Sequence, residues 1–181
     1  TQVLDGATLQ LTPGVDLGAE VIEVAGAGLD GDGALRSLGG TSALGQLRLM
    51  DATTIGVFAG TLIVDLLTQG TPGAGFTLVG GGKLQVEGDF FAGPGSIESG
   101  NLTWNTEAQL FAEVGHFGLL RGTGMVSSVE VHGGAIWPGS GASPALCGMP
   151  RPALLISTSR PPRCSIAAGT ARSTASGSVT S

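Results

Sequence analysis

The sequence feature that most constrains the fold is a five-residue unit, Gly-x-Leu-x-apolar, that occurs four times. The units begin at Gly45, Gly60, Gly82 and Gly100, so they recur at similar but unequal spacing. In each unit the third and fifth residues are apolar, which places both on one face of an extended strand. A recurring unit of this kind predicts equivalent positions that stack along an axis, as the repeats of a solenoid do.

Short segments with the same alternation predict further strands, most of them next to glycine. Steps of eight residues from Leu47 to Ile55 and of seven from Ile55 to Leu62 predict three sides per coil. Three such sides would close one coil in roughly 20 to 25 residues. An antiparallel sandwich uses strands at similar spacing, but few Asn-Gly or Asp-Gly hairpin sequences separate these segments. The predicted strands are residues 7–11, 46–50, 54–58, 61–65, 83–87, 101–105 and 128–132.

The glycine content argues against helices. Glycine accounts for 33 of 181 residues, more than twice the usual ~7%, and it follows no Gly-X-Y period. An interior glycine costs a helix about 1 kcal/mol relative to alanine. No window repeats apolar residues at helical spacing either, so we predict no helix. Since 41% of the residues are apolar, a core can still form, and the predicted fold class is all-β.

The charge pattern disfavours two classes of partner. The formal net charge is −6, 12% of the residues are charged, and Lys83 is the single lysine. Nucleic acids and anionic membrane surfaces are bound by clustered Lys and Arg, and no such cluster precedes the last segment of the chain. Nowhere does the sequence contain an uninterrupted apolar run long enough to cross a bilayer. We therefore expect neither nucleic-acid binding nor membrane insertion by this segment.

Two segments resemble a known repeat family. Residues 26–65 contain Asp51-Ala-Thr-Thr-Ile-Gly-Val and Ala59-Gly-Thr-Leu62, and residues 119–144 read LLRGTGMVSSVEVHGGAIWPGSGASP. Both are similar to the autotransporter-associated β-strand repeat found in the passenger regions of bacterial autotransporters. The resemblance implies a single-stranded right-handed parallel β-helix that is secreted or displayed on the bacterial cell surface. It also implies an unknown host or cell-surface ligand, and a longer parent chain that ends in an outer-membrane barrel.

A change of composition after Pro144 divides the chain. All 14 acidic residues precede it, whereas four of the eight basic residues and both cysteines, Cys147 and Cys164, follow it. Strand alternation also stops there, and four further prolines would interrupt a sheet ladder. We therefore predict a parallel β-helix over residues 1–144 and a low-complexity, irregular tail over residues 145–181 that is disordered or translated out of frame. Whether the two cysteines pair stays open.

No motif in the sequence assigns a catalytic, cofactor-binding or metal-binding residue, and we expect no cofactor. The run from Asp30 to Gly33 has alternating carboxylates but lacks the further ligands of a calcium loop, so we interpret it as a solvated turn. His116 and His132 each lack a Cys or His partner at metal-ligand spacing. His132 ends a predicted strand, where a position at the rim is expected.

The function predicted from these observations is a non-catalytic structural or adhesive segment, a stiff rod whose coils bury one another's apolar faces. Trp104 and Trp137 fit core or capping aromatics in such a rod better than sugar platforms. The alternative is a carbohydrate-active β-helix, a fragment of a polysaccharide lyase or hydrolase, which needs facing carboxylates or a basic residue beside bound calcium. The carboxylates considered for such an enzyme are Asp51, Asp65, Glu87, Asp89 and Glu98.

Overall fold

The chain folds as a parallel β-solenoid of about seven turns. The computed structural model describes residues 1–88, 91, 93–107 and 109–138. Every strand pair among these residues is parallel, which confirms the predicted all-β solenoid and leaves no hairpin of the sandwich type in this part of the chain. A 3₁₀ turn at Leu29–Gly31 is the one helical segment among them.

Successive strands lie on three faces of the coil. Face 1 contains residues 2–3, 21–24, 46–49 and 66–69. Face 2 contains residues 9–11, 35–37, 53–57, 76–79, 93–97, 110–114 and 126–131. Face 3 contains residues 41–44, 61–64, 83–86, 101–104, 119–122 and 135–138. The strands are β1 (Gln2–Val3), β2 (Leu9–Leu11), β3 (Val21–Gly26), β4 (Leu35–Ser37), β5 (Thr41–Val57), β6 (Thr61–Gln69), β7 (Phe76–Val79), β8 (Lys83–Val86), β9 (Gly93–Trp104), β10 (Leu110–Gly122), β11 (Val126–Val131) and β12 (Ala135–Pro138).

Face 3 carries a long ladder of inward-facing side chains. Leu62, Leu84 and Leu102 occupy one register position in successive coils, and all three are fully buried. This pairing confirms that the second, third and fourth Gly-x-Leu units are equivalent. Stacking makes a continuous core from coils that could not bury their apolar faces alone. The complete ladder is Ser42, Leu62, Leu84, Leu102, Leu120 and Ile136.

The first Gly-x-Leu unit belongs to a different face. Its Leu47 pairs with Ile22 and Leu67 on face 1. The prediction that the repeated units stack on one another is therefore wrong for this unit. The segment that stacks below the other three is residues 40–44, in which Ser42 takes the inward position of the leucine. Because that serine replaces the leucine of the motif, the sequence pattern did not identify this coil.

Glycines form the corner that leads into face 3. The φ angles of Gly40 and Gly60 are 63° and 70°, a left-handed conformation that glycine adopts at little cost. The carbonyl oxygen of Gly40 accepts a hydrogen bond from the Thr61 N–H at 2.7 Å, and that of Gly60 accepts one from the Lys83 N–H at 2.9 Å. The same hydrogen bond recurs at Gly82, whose carbonyl oxygen accepts from the Asn101 N–H at 2.9 Å. The left-handed conformation recurs at Gly100, with a φ of 86°, so it explains the glycine at the start of two of the four units.

The coils become shorter along the rod. The longest coil on face 3 runs from Thr61 to its register partner Lys83 and agrees with the predicted length of roughly 20 to 25 residues. The shortest runs from Leu119 to its partner Ala135 and falls below that length, so the prediction holds only for the earlier coils. Among the described residues, face 1 has no paired strand beyond Gln69, so the later coils use faces 2 and 3. The register position that defines these coils is occupied in turn by Thr41, Thr61, Lys83, Asn101, Leu119 and Ala135.

Three aromatic side chains fill the interior where face 1 ends. The Phe91 ring centroid lies 5.7 Å from that of Phe76 and 5.9 Å from that of Trp104. Trp104 is buried, and its indole N–H donates a hydrogen bond to the Met125 carbonyl at 3.1 Å. The position of Trp104 agrees with the predicted core role, and its polar edge is satisfied in the way a buried tryptophan requires.

The last described coil contains Trp137 and ends at the last described residue, Pro138. Trp137 is 66% exposed and lies under the Arg121 guanidinium, 5.5 Å from ring centroid to Cζ, so it is not a core residue. Strand β12 ends at Pro138. The predicted boundary at residue 144, and the predicted irregular tail at 145–181 with its two cysteines, lie outside the described residues.

Candidate functional site

Face 2 carries a groove of about 670 Å³ that crosses five coils, from Thr53 to Glu130. The alternation of the strands shapes its floor. Leu78, Ile97 and Val114 point into the core, so the residue before each of them points outward. These outward residues are in register from coil to coil and form a row that we call the polar stripe. The polar stripe is Thr77, Ser96, Glu113 and Glu130.

A second row lies beside the polar stripe and supplies an apolar wall. Pro94 pairs with Phe111 in the next coil, and Phe111 pairs with Ser128. The Phe111 ring is 46% exposed although it belongs to a regular strand. Gly73 and Gly75 also line the groove, towards its other end. The groove therefore combines hydroxyls, carboxylates and one aromatic face along a single line.

Two carboxylates are neighbours at the C-terminal end of the polar stripe. Glu113 and Glu130 are Cα partners in adjacent coils, which places their backbones ~4.8 Å apart. His132 Nε2 lies 3.3 Å from Glu113 Oε1, and these two side chains are 40% and 60% exposed. No Lys or Arg is found among the described residues that line the groove. Like charges directly opposite one another destabilise a pair of strands, so this arrangement costs free energy in the absence of a cation.

The described carboxylates among those considered for catalysis lie at three separate places on the coil. Asp51 lies within β5 between faces 1 and 2, and Asp65 lies within β6 between faces 3 and 1. Glu98 lies within β9 between faces 2 and 3, and Glu87 follows β8. All four are exposed. Asp65 and Glu87 directly follow the register partners Val64 and Val86, so these two are neighbours in adjacent coils, whereas Asp51 and Glu98 lie elsewhere on the coil. Asp89 lies outside the described residues.

The other sequence candidates occupy surface positions. Asp30 and Asp32 are exposed in the predicted turn, and Asp32 forms a 3.3 Å ion pair with Arg36. His116 is exposed in β10 between faces 2 and 3. His132 follows β11 at the predicted rim position, but its contact with a glutamate on the neighbouring coil was not anticipated.

The carboxylates of the groove were missed because they lie in different coils. Glu113 is flanked by Ala112 and Val114, and Glu130 in the following coil is flanked by Val129 and Val131. Two apolar-Glu-Val triplets about one coil apart would have indicated equivalent positions. The expected coil of roughly 20 to 25 residues, however, is too long to bring them into register.

A separate polar row links the first coils on face 1. Gln2 Nε2 donates a hydrogen bond to Glu23 Oε2 at 2.6 Å, and Arg48 Nη1 lies 3.3 Å from Glu23 Oε1. The hydrogen bond from Gln2, supported by Arg48, lowers the pKa of Glu23. These contacts tie three successive coils together.

Neither potential metal ligands nor similarity to known proteins assigns a function to this chain. Within the described part of the chain, no three His, Cys, Asp or Glu side chains lie close enough to share a metal ion. None of the described segments is a helix with the length and hydrophobicity that crossing a membrane requires. No protein-family model, curated protein or solved structure matches the sequence or the fold of this chain.

Proposed function

We propose that this chain is a non-catalytic structural and adhesive segment of a secreted or surface-displayed protein of the autotransporter passenger type. Its role is mechanical. The coils form a stiff rod that carries adhesive side chains on its outer faces. The resemblance of residues 26–65 and 119–144 to passenger repeats supports the placement at a bacterial surface.

The observation that carries the proposal is the six-coil ladder of inward side chains on face 3. Leu62, Leu84 and Leu102 are in register and fully buried. Each coil also pairs its backbone with the coils before and after it, so bending the rod would disturb hydrogen bonds and core contacts together. The outward positions contribute little to this core. They are free to carry the side chains that a binding surface needs.

The groove on face 2 favours a second candidate, a carbohydrate-active enzyme. Glu113 and Glu130 are register partners in adjacent coils, and retaining glycosidases likewise use two neighbouring carboxyl groups. Against this candidate, Glu113 is 60% exposed, whereas a catalytic acid requires burial that raises its pKa. The described lining of the groove also offers no Lys or Arg as the base of a lyase.

Two assays on one preparation of the full chain distinguish the adhesive role from the enzymatic one. Beads coated with the chain are passed over immobilised matrix proteins and polysaccharides under flow, and the same polysaccharides are incubated with soluble chain. We expect retention of beads without release of reducing ends or unsaturated products. Product release that disappears in Glu113→Gln would overturn the proposal in favour of the enzyme.

The mechanical part of the proposal has its own measurement. Residues 61–82 form one coil between register-equivalent positions. Duplicating this segment should lengthen the particle by one strand spacing, ~4.8 Å, without widening it. Small-angle scattering on the parent and the duplicated chain measures both dimensions. An increase in cross-section, or loss of the folded state, would contradict a rod assembled from interchangeable coils.

A further inference from the structure

We infer that the groove on face 2 binds an extended, cationic peptide segment of a partner protein, with its Lys or Arg side chains held by Glu113 and Glu130 and lying against Phe111. This inference deepens the proposed adhesive role, and it depends on that role only for the purpose that binding would serve. Whether the groove binds such a segment can be decided separately.

The charge distribution favours a cationic ligand. All 14 acidic residues but only four of the eight basic residues lie within residues 1–138, which gives that segment a formal charge of −10. The described groove lining has two carboxylates and no Lys or Arg. A surface with an excess of one sign attracts ligands of opposite charge and repels those of the same charge. Anionic polymers are therefore poor occupants of this groove.

The pair of glutamates provides the specific contact. Glu113 and Glu130 oppose each other in register, and His132 contacts Glu113. A Lys ammonium or Arg guanidinium between the two carboxylates would remove their repulsion and form charge-assisted hydrogen bonds to both. The unfavourable arrangement in the free chain thus becomes favourable in the complex.

The exposed aromatic ring provides a second contact for the same cation. Phe111 and Glu113 are two residues apart in β10, so both project outward from the same strand. A cation within ~6 Å of the ring centroid is attracted to the ring face, and Arg or Lys stems also cover apolar surface. An aromatic side chain that is 46% exposed in this row becomes buried when the groove is occupied.

The shape of the groove fits an extended chain. Five coils are crossed by the groove, and at ~4.8 Å per strand spacing its length is ~19 Å, enough for about six residues of extended peptide. The polar stripe begins with the hydroxyls of Thr77 and Ser96, which can donate to or accept from a peptide backbone. The carboxylates follow at the other end, so the stripe predicts a segment with its basic residues clustered at one end.

Binding of a labelled six-residue peptide, with Lys at two alternate positions near one end and Gly and Ser elsewhere, is measured on the full chain by fluorescence anisotropy. An otherwise identical peptide with Glu in place of Lys is the ligand control. The variant Glu113→Gln/Glu130→Gln should weaken binding of the Lys peptide about tenfold or more. The matched variant Asp65→Asn/Glu98→Gln changes the net charge equally at exposed sites outside the groove and should change the affinity less than about twofold.

The contribution of the ring is tested by Phe111→Leu, which keeps an apolar side chain but removes the aromatic face. Weaker binding of the Lys peptide by this variant, with unchanged thermal stability, supports the inference. Equal weakening by the two charge variants, or no binding of the Lys peptide, would overturn it. Bead retention and lengthening of the duplicated rod do not depend on this peptide, so failure here leaves the proposed function to be judged by those measurements.

Discussion

A Cβ atom on Gly60 would overlap the carbonyl oxygen of Gly40 in the preceding coil. That oxygen already accepts the hydrogen bond from Thr61 that joins the two coils at 2.7 Å. Gly60 also has a φ of 70°, which L side chains rarely adopt. The close approach of the coils at this corner therefore depends on glycine for two separate reasons.

Substitution of this glycine should be far more damaging than substitution of a glycine in an open turn. We expect Gly60→Ala to lower the free energy of unfolding by about 2–5 kcal/mol, from a left-handed backbone and a backbone clash together. Gly14 is the matched control, because its φ is 82° and nothing lies within 4 Å of its added Cβ. Gly14→Ala should cost only about 1–2 kcal/mol. Urea unfolding measures both, and equal losses would contradict the corner contact.

Two buried serines should respond in opposite ways to alanine. Ser37 lies between Leu11 and Val57 in the interior of face 2, and its hydroxyl has no hydrogen-bond partner within the described structure. The Ser42 hydroxyl donates to the Thr12 carbonyl at 3.3 Å. We expect Ser37→Ala to raise the free energy of unfolding by up to about 1 kcal/mol, and Ser42→Ala to lower it by about 1 kcal/mol. The same sign for both substitutions in chemical denaturation would argue against this difference.

A cavity in the ladder of inward side chains on face 3 should destabilise the neighbouring coils. Leu84 is fully buried between Leu62 and Leu102. We expect Leu84→Ala to cost about 2–5 kcal/mol. Hydrogen exchange should show the largest loss of protection in the two adjacent coils, because repeats couple mainly to their nearest neighbours. The outward-facing neighbour provides the control: Gln85→Ala should leave protection nearly unchanged, and a uniform loss along the whole rod after Leu84→Ala would contradict nearest-neighbour coupling.

The lowered pKa of Glu23 predicts a specific dependence of stability on pH. Gln2, with support from Arg48, favours the ionised carboxylate in the folded chain. Its contribution to stability is therefore present above the unfolded pKa of about 4.3 and is lost as the pH falls through the lower folded value. Glu23→Gln should be less stable than the parent at about pH 6, and this difference should shrink as the pH is lowered to about 3. A constant difference in melting temperature at both values would show that the charge is not involved.

The sequence predicted the architecture best where inward and outward positions differ clearly. In β8, Leu84 and Val86 alternate with Lys83 and Gln85, and the structure buries the apolar pair. Strand β10 was not predicted, although it is among the longest. Its outward positions include an apolar Phe111, so the contrast between the two sides is weak.

The groove was harder to predict than the strands, for a physical reason. Its polar stripe depends on which residues are opposite one another, and that depends on the number of residues per coil. Within the described part of the chain, the later coils have no paired strand on face 1 and are shorter between register partners on face 3. The spacing of Leu47, Ile55 and Leu62, in contrast, comes from a coil with three faces. The spacing of strands in one coil therefore does not predict the number of faces in a later coil.

The unequal coils also bear on how such a chain can change over evolutionary time. The longest coil, which begins at Thr61, and the shortest, which begins at Leu119, keep a single register on face 3, so the differences are taken up where the chain passes between faces. Residues can be gained or lost at those crossings while the ladder of leucines stays aligned. Insertions and deletions in these surface segments can thereby alter what the molecule recognises without any change to its core residues.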